Sequence, residues 1–381
     1  MVTAVPLPDD MDVRVYSPDL TRTGFIGAVE HLTVTARHNQ QPTAELALAT
    51  DDPKAALLTA PGARVVVTFR GEHLLSGPVL LRSSDGTRDT RILTAQIADD
   101  WQLMSNVLLW PVPASDLAHQ SSEYDVVSGP AETVVKTLLG AAIDRLGLPV
   151  TVASDSGRGS TITVNARMDR AADVLFPLVD QAGIGVTVRQ SGPGLVLDCY
   201  EPAAWPITLS EAGGTITQGS WSLRPPTVTR VVLGADGEGT ARVFRALANT
   251  LLEETWGFVA EAFVDARDLT HTDATFEAQA TARMQAALAE GAMVAGLSLS
   301  LAETATFQYG PGGVHVGDTV SAELEGGQTV TDVLRTATLS WSADGGVSVT
   351  PTIGDHTDDP TVSLVRAVAR AQRANRLLAR R

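Results

Sequence analysis

At 381 residues, with 44% hydrophobic and 19% charged side chains, the chain can fill two to four cores and is too apolar to be disordered. Its net charge of −16 argues against binding nucleic acid through phosphate neutralisation, and a single cysteine excludes an internal disulfide or a cysteine-built metal site. The sign is unevenly placed: residues 360–381 hold six arginines and no acid, so residues 1–359 carry 22 basic and 44 acidic side chains, a net of −22.

The first residues lack a basic stretch followed by an apolar one, so no secretory signal is expected. No window approaches the roughly 18 continuous apolar residues of a membrane helix, so no membrane-spanning segment is expected. Short apolar or alternating runs then predict strands over 13–16, 29–37, 44–48, 64–69, 74–82 and 91–98, with a hairpin at Gly71. Six strands in about a hundred residues imply a small barrel or sandwich. From Trp101 to Trp110, with Pro111 and Pro113 behind, an apolar stretch is expected to pack on a neighbouring domain or to form a subunit contact.

The best-written helix follows. Val134, Val135, Leu138, Leu139, Ala142, Ile143 and Leu146 recur at helical spacing, Pro130 suits the first turn and Gly147 the stop. A second helix spans Ala171 to Ala182, where Pro177 predicts a kink or a late start. A strand over 185–189 continues this α+β segment. Strands are predicted again over 216–223, 227–233 and 242–245, the last two joined by a turn at Asp236–Gly239. A helix over 276–290 precedes strands over 293–301, 319–324, 332–341 and 347–353. The expected fold is α+β, mainly β. It comprises a first β-barrel domain (1–105), a connection with an α+β domain (106–212) and a discontinuous second barrel (213–245 with 293–355). A helical insertion (246–292) and a basic C-terminal helix (356–381) complete it.

Signatures of chemistry are absent. The seven histidines form no zinc spacing, and no hydrolase elbow or phosphate-binding loop occurs. Gly234–Gly239 leads from strand to strand and carries acids where a phosphate would sit, so it reads as a hairpin turn. Cys199, within an apolar strand, reads as a small buried side chain. Two carboxylate groupings could serve a glycosidase, Glu253 with Glu254 beside Trp256, and Asp265 with Asp268. Neither is expected to be catalytic, and no cofactor or metal is expected.

The helix opening at Gly129–Lys136, the run Asp169–Phe176 about forty residues later and the strand Gly185–Arg189 lie between long β-rich segments. The chain opens on Val13–Gly24 and closes its second half with Phe263–Asp268, a helix and Val316–Val320. In this order, the residues from about 11 to 355 resemble the minor tail, or tail-hub, proteins of the ReqiPepy-type family from siphophages of actinobacteria. The resemblance implies a structural virion protein rather than an enzyme: a baseplate hub at the distal tail tip, assembled in the host cytoplasm. It implies a homotrimer whose two barrels per subunit approximate sixfold symmetry. The implied partners are the distal tail protein, the tape measure protein and tip or fibre proteins, with genomic DNA passing through without specific binding. The acidic body suits such a channel. The alternative is a tail-associated cell-wall hydrolase or glycan-binding module.

Residues 361–381 contain no glycine or proline, and Asp358 and Asp359 precede them. All six arginines lie from Arg366 onward, an order that complements a helix dipole. Leu364, Val368, Ala371, Asn375 and Leu378 form a two-heptad seam. The candidate subunit contacts are therefore Trp101, Trp110, Leu364, Val368, Ala371 and Leu378, with Arg366, Arg370 and Arg373 on the other faces.

Overall fold

A computed structural model of the chain describes residues 5–87, 91–291, 294–301, 303–304, 307–323, 329–342 and 345–353. In chain order the N-terminal elements are β1 (Val5–Pro6), β2 (Met11–Tyr16), β3 (Arg22–Ile26), β4 (Ala28–Val29), β5 (His31–Arg37), β6 (Thr43–Ala49), α1 (Ala55–Thr59), β7 (Arg64–Phe69), β8 (Glu72–Asp85) and β9 (Ile92–Ala98). The middle holds α2 (Gln102–Asn106), β10 (Leu108–Leu109), β11 (Asp125–Pro130), α3 (Ala131–Leu146), β12 (Val150–Val152), β13 (Thr161–Ala166), β14 (Asp169–Arg170), α4 (Ala171–Gln181), β15 (Gly185–Ser191) and β16 (Gly194–Tyr200). Then come β17 (Ile216–Arg224), β18 (Arg230–Gly234), β19 (Phe244–Ala248), α5 (Thr250–Trp256), β20 (Glu261–Asp265) and α6 (Phe276–Glu290). The last are β21 (Val294–Leu301), β22 (Thr319–Glu323), β23 (Thr329–Ser342) and β24 (Gly346–Ile353).

Strict alternation explains the N-terminal strands: β2 buries Met11, Val13 and Val15, and β5 buries Leu32, Val34 and Ala36, each facing one core. The fourteen-residue β8 pairs with β7 over its first half and with β9 over its second. It therefore passes from one sheet layer to the next, as strands do at the corner of a folded-over sheet. β23 does the same at the other end, pairing β22 first and then lying between β24 and β5.

The result is one hydrogen-bonded path, β22-β23-β5-β6-β9-β8-β7-β2-β3, with β24 beside β23. Two separate barrels were expected from the spacing of strands. Among the described residues, no sheet closes on itself, and strands of both expected barrels share this path. One core follows from it, in which Phe69, Leu46 and Ile97 from the N-terminal strands meet Phe307, Val320, Leu339 and Ile353. The fold is mixed α+β and mainly β.

The middle unit has its own core. α3 turns Val134, Val135, Leu138, Leu139, Ala142 and Ile143 inward, as their spacing predicts, and α4 adds Leu175 and Val179. α4 begins at Ala171 and runs through Pro177, so the helix does not start late; Pro177 lies on the exposed side, facing away from this core. Lys136, almost fully buried, anchors α3 to β16 by bonds to Glu132 (2.6 Å), Ser154 O (2.7 Å) and Asp198 (3.1 Å). Burial alone would raise the Glu132 carboxyl, but the Lys136 ammonium and the Arg158 amide hold it below its ordinary value.

A third core lies in the insertion. β19, β18 and β20 form a separate sheet, antiparallel on one side and parallel on the other, covered by α6. The sequence grouped residues 230–245 with the second barrel. The pairings instead put Val231 and Leu233 against Phe276, Ala280 and Met284 of α6. Residues 361–381, expected to be a helix, lie outside the described residues.

Candidate functional site

Two polar junctions fasten the middle unit to the large sheet. The first starts at the turn after β5, where Asn39 takes a positive φ of 49°. Its amide nitrogen donates to Ile184 O (2.9 Å) and to Asp180 (3.2 Å) at the end of α4, and its oxygen accepts from Val186 N (3.1 Å). Neighbouring His38 meets Tyr200 Oη at 2.7 Å and Asp180 at 3.3 Å. Arg335 of β23 completes the junction, its guanidinium 2.5 Å from the same carboxylate. Sheet, middle unit and C-terminal strand thus converge on Asp180.

Burial pushes the Asp180 carboxyl up, yet hydrogen bonds from His38, Arg335 and Asn39 and the Arg335 charge outweigh it, leaving the group well below the ordinary carboxylate range. A depressed pKa contributes stability that is complete above the unfolded value of about 4 and is lost as pH falls through the folded value. Asp180→Asn should therefore be less stable than the parent at neutral pH, and the gap should narrow below about pH 4. Urea midpoints at several pH values check this, and a gap of constant size would show that the charge on Asp180 is not what holds the junction.

The second junction joins β7, β8 and the end of β9 to β15. Arg64 reaches both oxygens of Asp100 (2.6 and 2.7 Å), Ser76 Oγ donates to Asp100 (2.8 Å), and Gln190 N donates to Ser76 Oγ (2.8 Å). Asp99 accepts from the amides of Ser76 (3.0 Å) and Trp101 (2.9 Å). Burial pushes Asp99 up to about 8 against those two amides, and it raises Asp100 against the pull of Arg64. Apart from Trp101, expected as a subunit contact, none of these residues was singled out in the sequence.

The carboxylates that were singled out are placed otherwise. Glu253 is bound by Arg230 (3.2 and 2.9 Å). Asp265 is held by Arg242 (2.8 Å) and Arg267 (2.7 Å), and Asp268 by Arg283 (2.8 and 2.5 Å). Asp268 is lowered, its burial, which alone would raise it, being outweighed by Arg283, whereas a glycosidase acid must keep its proton. Among the described residues no three His, Cys, Asp or Glu side chains gather around a metal-sized point, and no helix is long and apolar enough to cross a membrane. Burial pushes the Cys199 thiol up to about 12, which leaves it a poor nucleophile.

Of the two tryptophans, Trp101 is buried within its own chain, stacked on Phe176 of α4 at 3.8 Å between ring centroids. Trp110 is partly exposed. Arg145 lies 4.1 Å above its ring, and Leu108 and Pro113 border the same shallow depression. With about 180 Å³ of empty space, this depression falls short of the roughly 300–1,000 Å³ of a small-molecule site. Leu108, Val126 and Leu117 nearby in the chain are 40%, 54% and 66% exposed.

The description Siphovirus ReqiPepy6 Gp37-like protein matches residues 12–355. The chain belongs to that family. No curated protein matches it in sequence. Among solved structures, it is similar to the 43 kDa tail protein of prophage MuSo2 from Shewanella oneidensis, at 12% identity and a TM-score of 0.58 over 91% of this chain and all of that one. It is also similar to prophage tail protein gp18 from Listeria monocytogenes, at 12% identity and a TM-score of 0.55 over 95% of this chain and 99% of that one. A tail protein from Neisseria meningitidis gives 12% identity and a TM-score of 0.53 over 91% and 96%. The fold is thus shared with these tail proteins over 91–95% of the chain.

Proposed function

We propose that the chain is a structural subunit of a siphophage tail, acting as the hub at its distal tip. The observation that carries this reading is coverage: the family match spans residues 12–355, and the fold likeness takes in nine-tenths of this chain and the whole of a prophage tail protein. Three copies form a ring, each contributing the large sheet that the β5–β23 pairing holds together. The polar junctions at Asp180 and Asp100 fix that sheet against the middle unit, as a load-transmitting ring requires. The ring joins the tail tube, through the distal tail and tape measure proteins, to tip or fibre proteins. Trp110 is offered to a neighbouring subunit.

The net of −22 over residues 1–359 lines the lumen with like charge, so genomic DNA passes without specific binding. The subunit is assembled in the host cytoplasm and stays in the virion. No covalent chemistry is assigned to it; the arginine-paired carboxylates support that assignment over a cell-wall hydrolase. A reconstruction of the tail tip is expected to show three copies around the axis, and one or six copies would refute the hub reading. Purified protein is expected to leave the turbidity of host cell walls unchanged.

A further inference from the structure

The insertion sheet β19-β18-β20 has a helix on only one side. Val231 and Leu233 point into α6. Alternate positions point away, and there Phe244 and Phe263 stand 52% and 57% exposed on the outer strands, paired opposite Gly234 and Val232 of the central one. Arg242 lies 5.6 and 5.5 Å from their ring centroids and is tied to Asp265, closing one end of this strip. Arg230 with Glu253 closes the other, beside the exposed Leu251. Three strands at roughly 4.8 Å spacing give a face about 10 Å wide, the width of one helix. α6 covers the opposite face in that way.

Charge narrows the choice of occupant. Residues 225–291 hold ten acids and five arginines. All five arginines are paired within the unit: Arg230 with Glu253, Arg242 and Arg267 with Asp265, Arg245 with Glu277 and Arg283 with Asp268. Glu238, Glu254, Glu261 and Asp273 make no ion pair among the described residues. The open face thus belongs to a net-acidic unit whose own positive charges are already neutralised, and it fits a basic amphipathic helix.

We propose that residues 361–381 of the same chain cover this face, with Leu364, Val368, Ala371 and Leu378 against the phenylalanines and the arginines toward the unpaired acids. The inference is independent of the tail reading, since it rests on this chain's surfaces alone. β24 ends at Ile353, opposite Leu334; the next residue, Arg335, bonds Asp180 at the end of α4, and α4 packs on α6, the helix on the other side of the same small sheet. The seven residues 354–360 can span about 24 Å when extended.

The test uses the full chain with Leu378→Cys, labelled with a photoreactive maleimide; buried Cys199 stays unmodified. Cross-links are expected in peptides covering residues 244–263, within single chains when isotopically distinct copies are mixed, and they should weaken as salt rises. Phe244→Ser with Phe263→Ser should cut the yield by about tenfold, the population change that losing a buried aromatic gives. Arg366→Glu, Arg370→Glu and Arg373→Glu together should do the same. Both sets should lower the thermal midpoint only slightly, by what the lost docking contributes, because neither phenylalanine belongs to the three cores of the body and the arginines lie beyond it. Cross-links to other sites or between copies, or a yield indifferent to both sets, would overturn the proposal.

Discussion

Asp100→Ala is expected to destabilise the protein by about 3–5 kcal/mol, the cost of leaving a buried charge without its partner. The partner is Arg64, whose side chain is 11% exposed and makes both its short bonds to this carboxylate. The same substitution removes the acceptor for Ser76 Oγ, which in turn receives Gln190 N from β15. Damage should therefore spread across the junction: hydrogen exchange at the Gln190 amide should speed up more than exchange in α6, which belongs to another core. Asp100→Asn keeps an oxygen for one of these donors and should cost less. The double change Arg64→Met with Asp100→Leu should recover much of the loss, because it removes both charges and fills their volume. Urea unfolding measures all three. An Asp100→Ala midpoint within about 1 kcal/mol of the parent would mean that Arg64 finds water or another acceptor, and that the junction is not held by this pair.

Elements with one buried face were legible in the sequence because periodicity is a local property. α3 buries the very positions whose spacing predicted it, α6 spans Phe276–Glu290 as expected, and β6, β7 and β9 match their predicted runs within a residue or two. What could not be read was who pairs with whom. Nothing in the apolar alternation of Thr336–Ser342 names His31–Arg37 as its neighbour some three hundred residues away. The grouping of β18 with β20 was hidden for a related reason. Their parallel pairing needs a crossover, and the crossover helix α5 carries Glu253 and Glu254 with no apolar stripe to announce it.

The polar junctions were illegible for a stronger reason. His38, Asn39, Asp180 and Arg335 come from three distant parts of the chain, so no motif could link them, although His38-Asn39 between two predicted strands was a turn signal worth following. The carboxylates that drew attention did so by adjacency in sequence. In the fold Glu253, Asp265 and Asp268 are turned to arginines, the commoner fate of surface acids in a chain with 26 arginines, and Glu254 makes no ion pair among the described residues. Family likeness carried the functional reading because it depends on the order of many elements, and order survives at 12% identity where individual site residues do not.

The bend of β8 between the two sheet layers yields the second large effect. Gly77 pairs with Val65 of β7, and by Val79 the strand has moved to Ile97 of β9. At this crossing the backbones nearly touch: a Cβ on Gly77 would lie 1.8 Å from the Ala98 carbonyl oxygen and 3.0 Å from the Asp99 carbonyl carbon. Both are main-chain atoms, so no rotamer change relieves the clash. The end of β9 would have to move, taking with it Asp99 and Asp100 and their bonds to Ser76. Gly77→Ala should therefore cost at least about 3 kcal/mol, beyond the usual penalty for overpacking. Gly71→Ala, in the β7–β8 turn, is the control. It strains a φ of +83° but meets no atom within 4 Å, and should cost about 1–2 kcal/mol. Chemical unfolding and soluble yield compare the two. Equal losses would show that backbone strain alone accounts for both and that the close approach at Ala98 does not set the bend; a loss confined to Gly77→Ala would show the sheet layers joined through that contact.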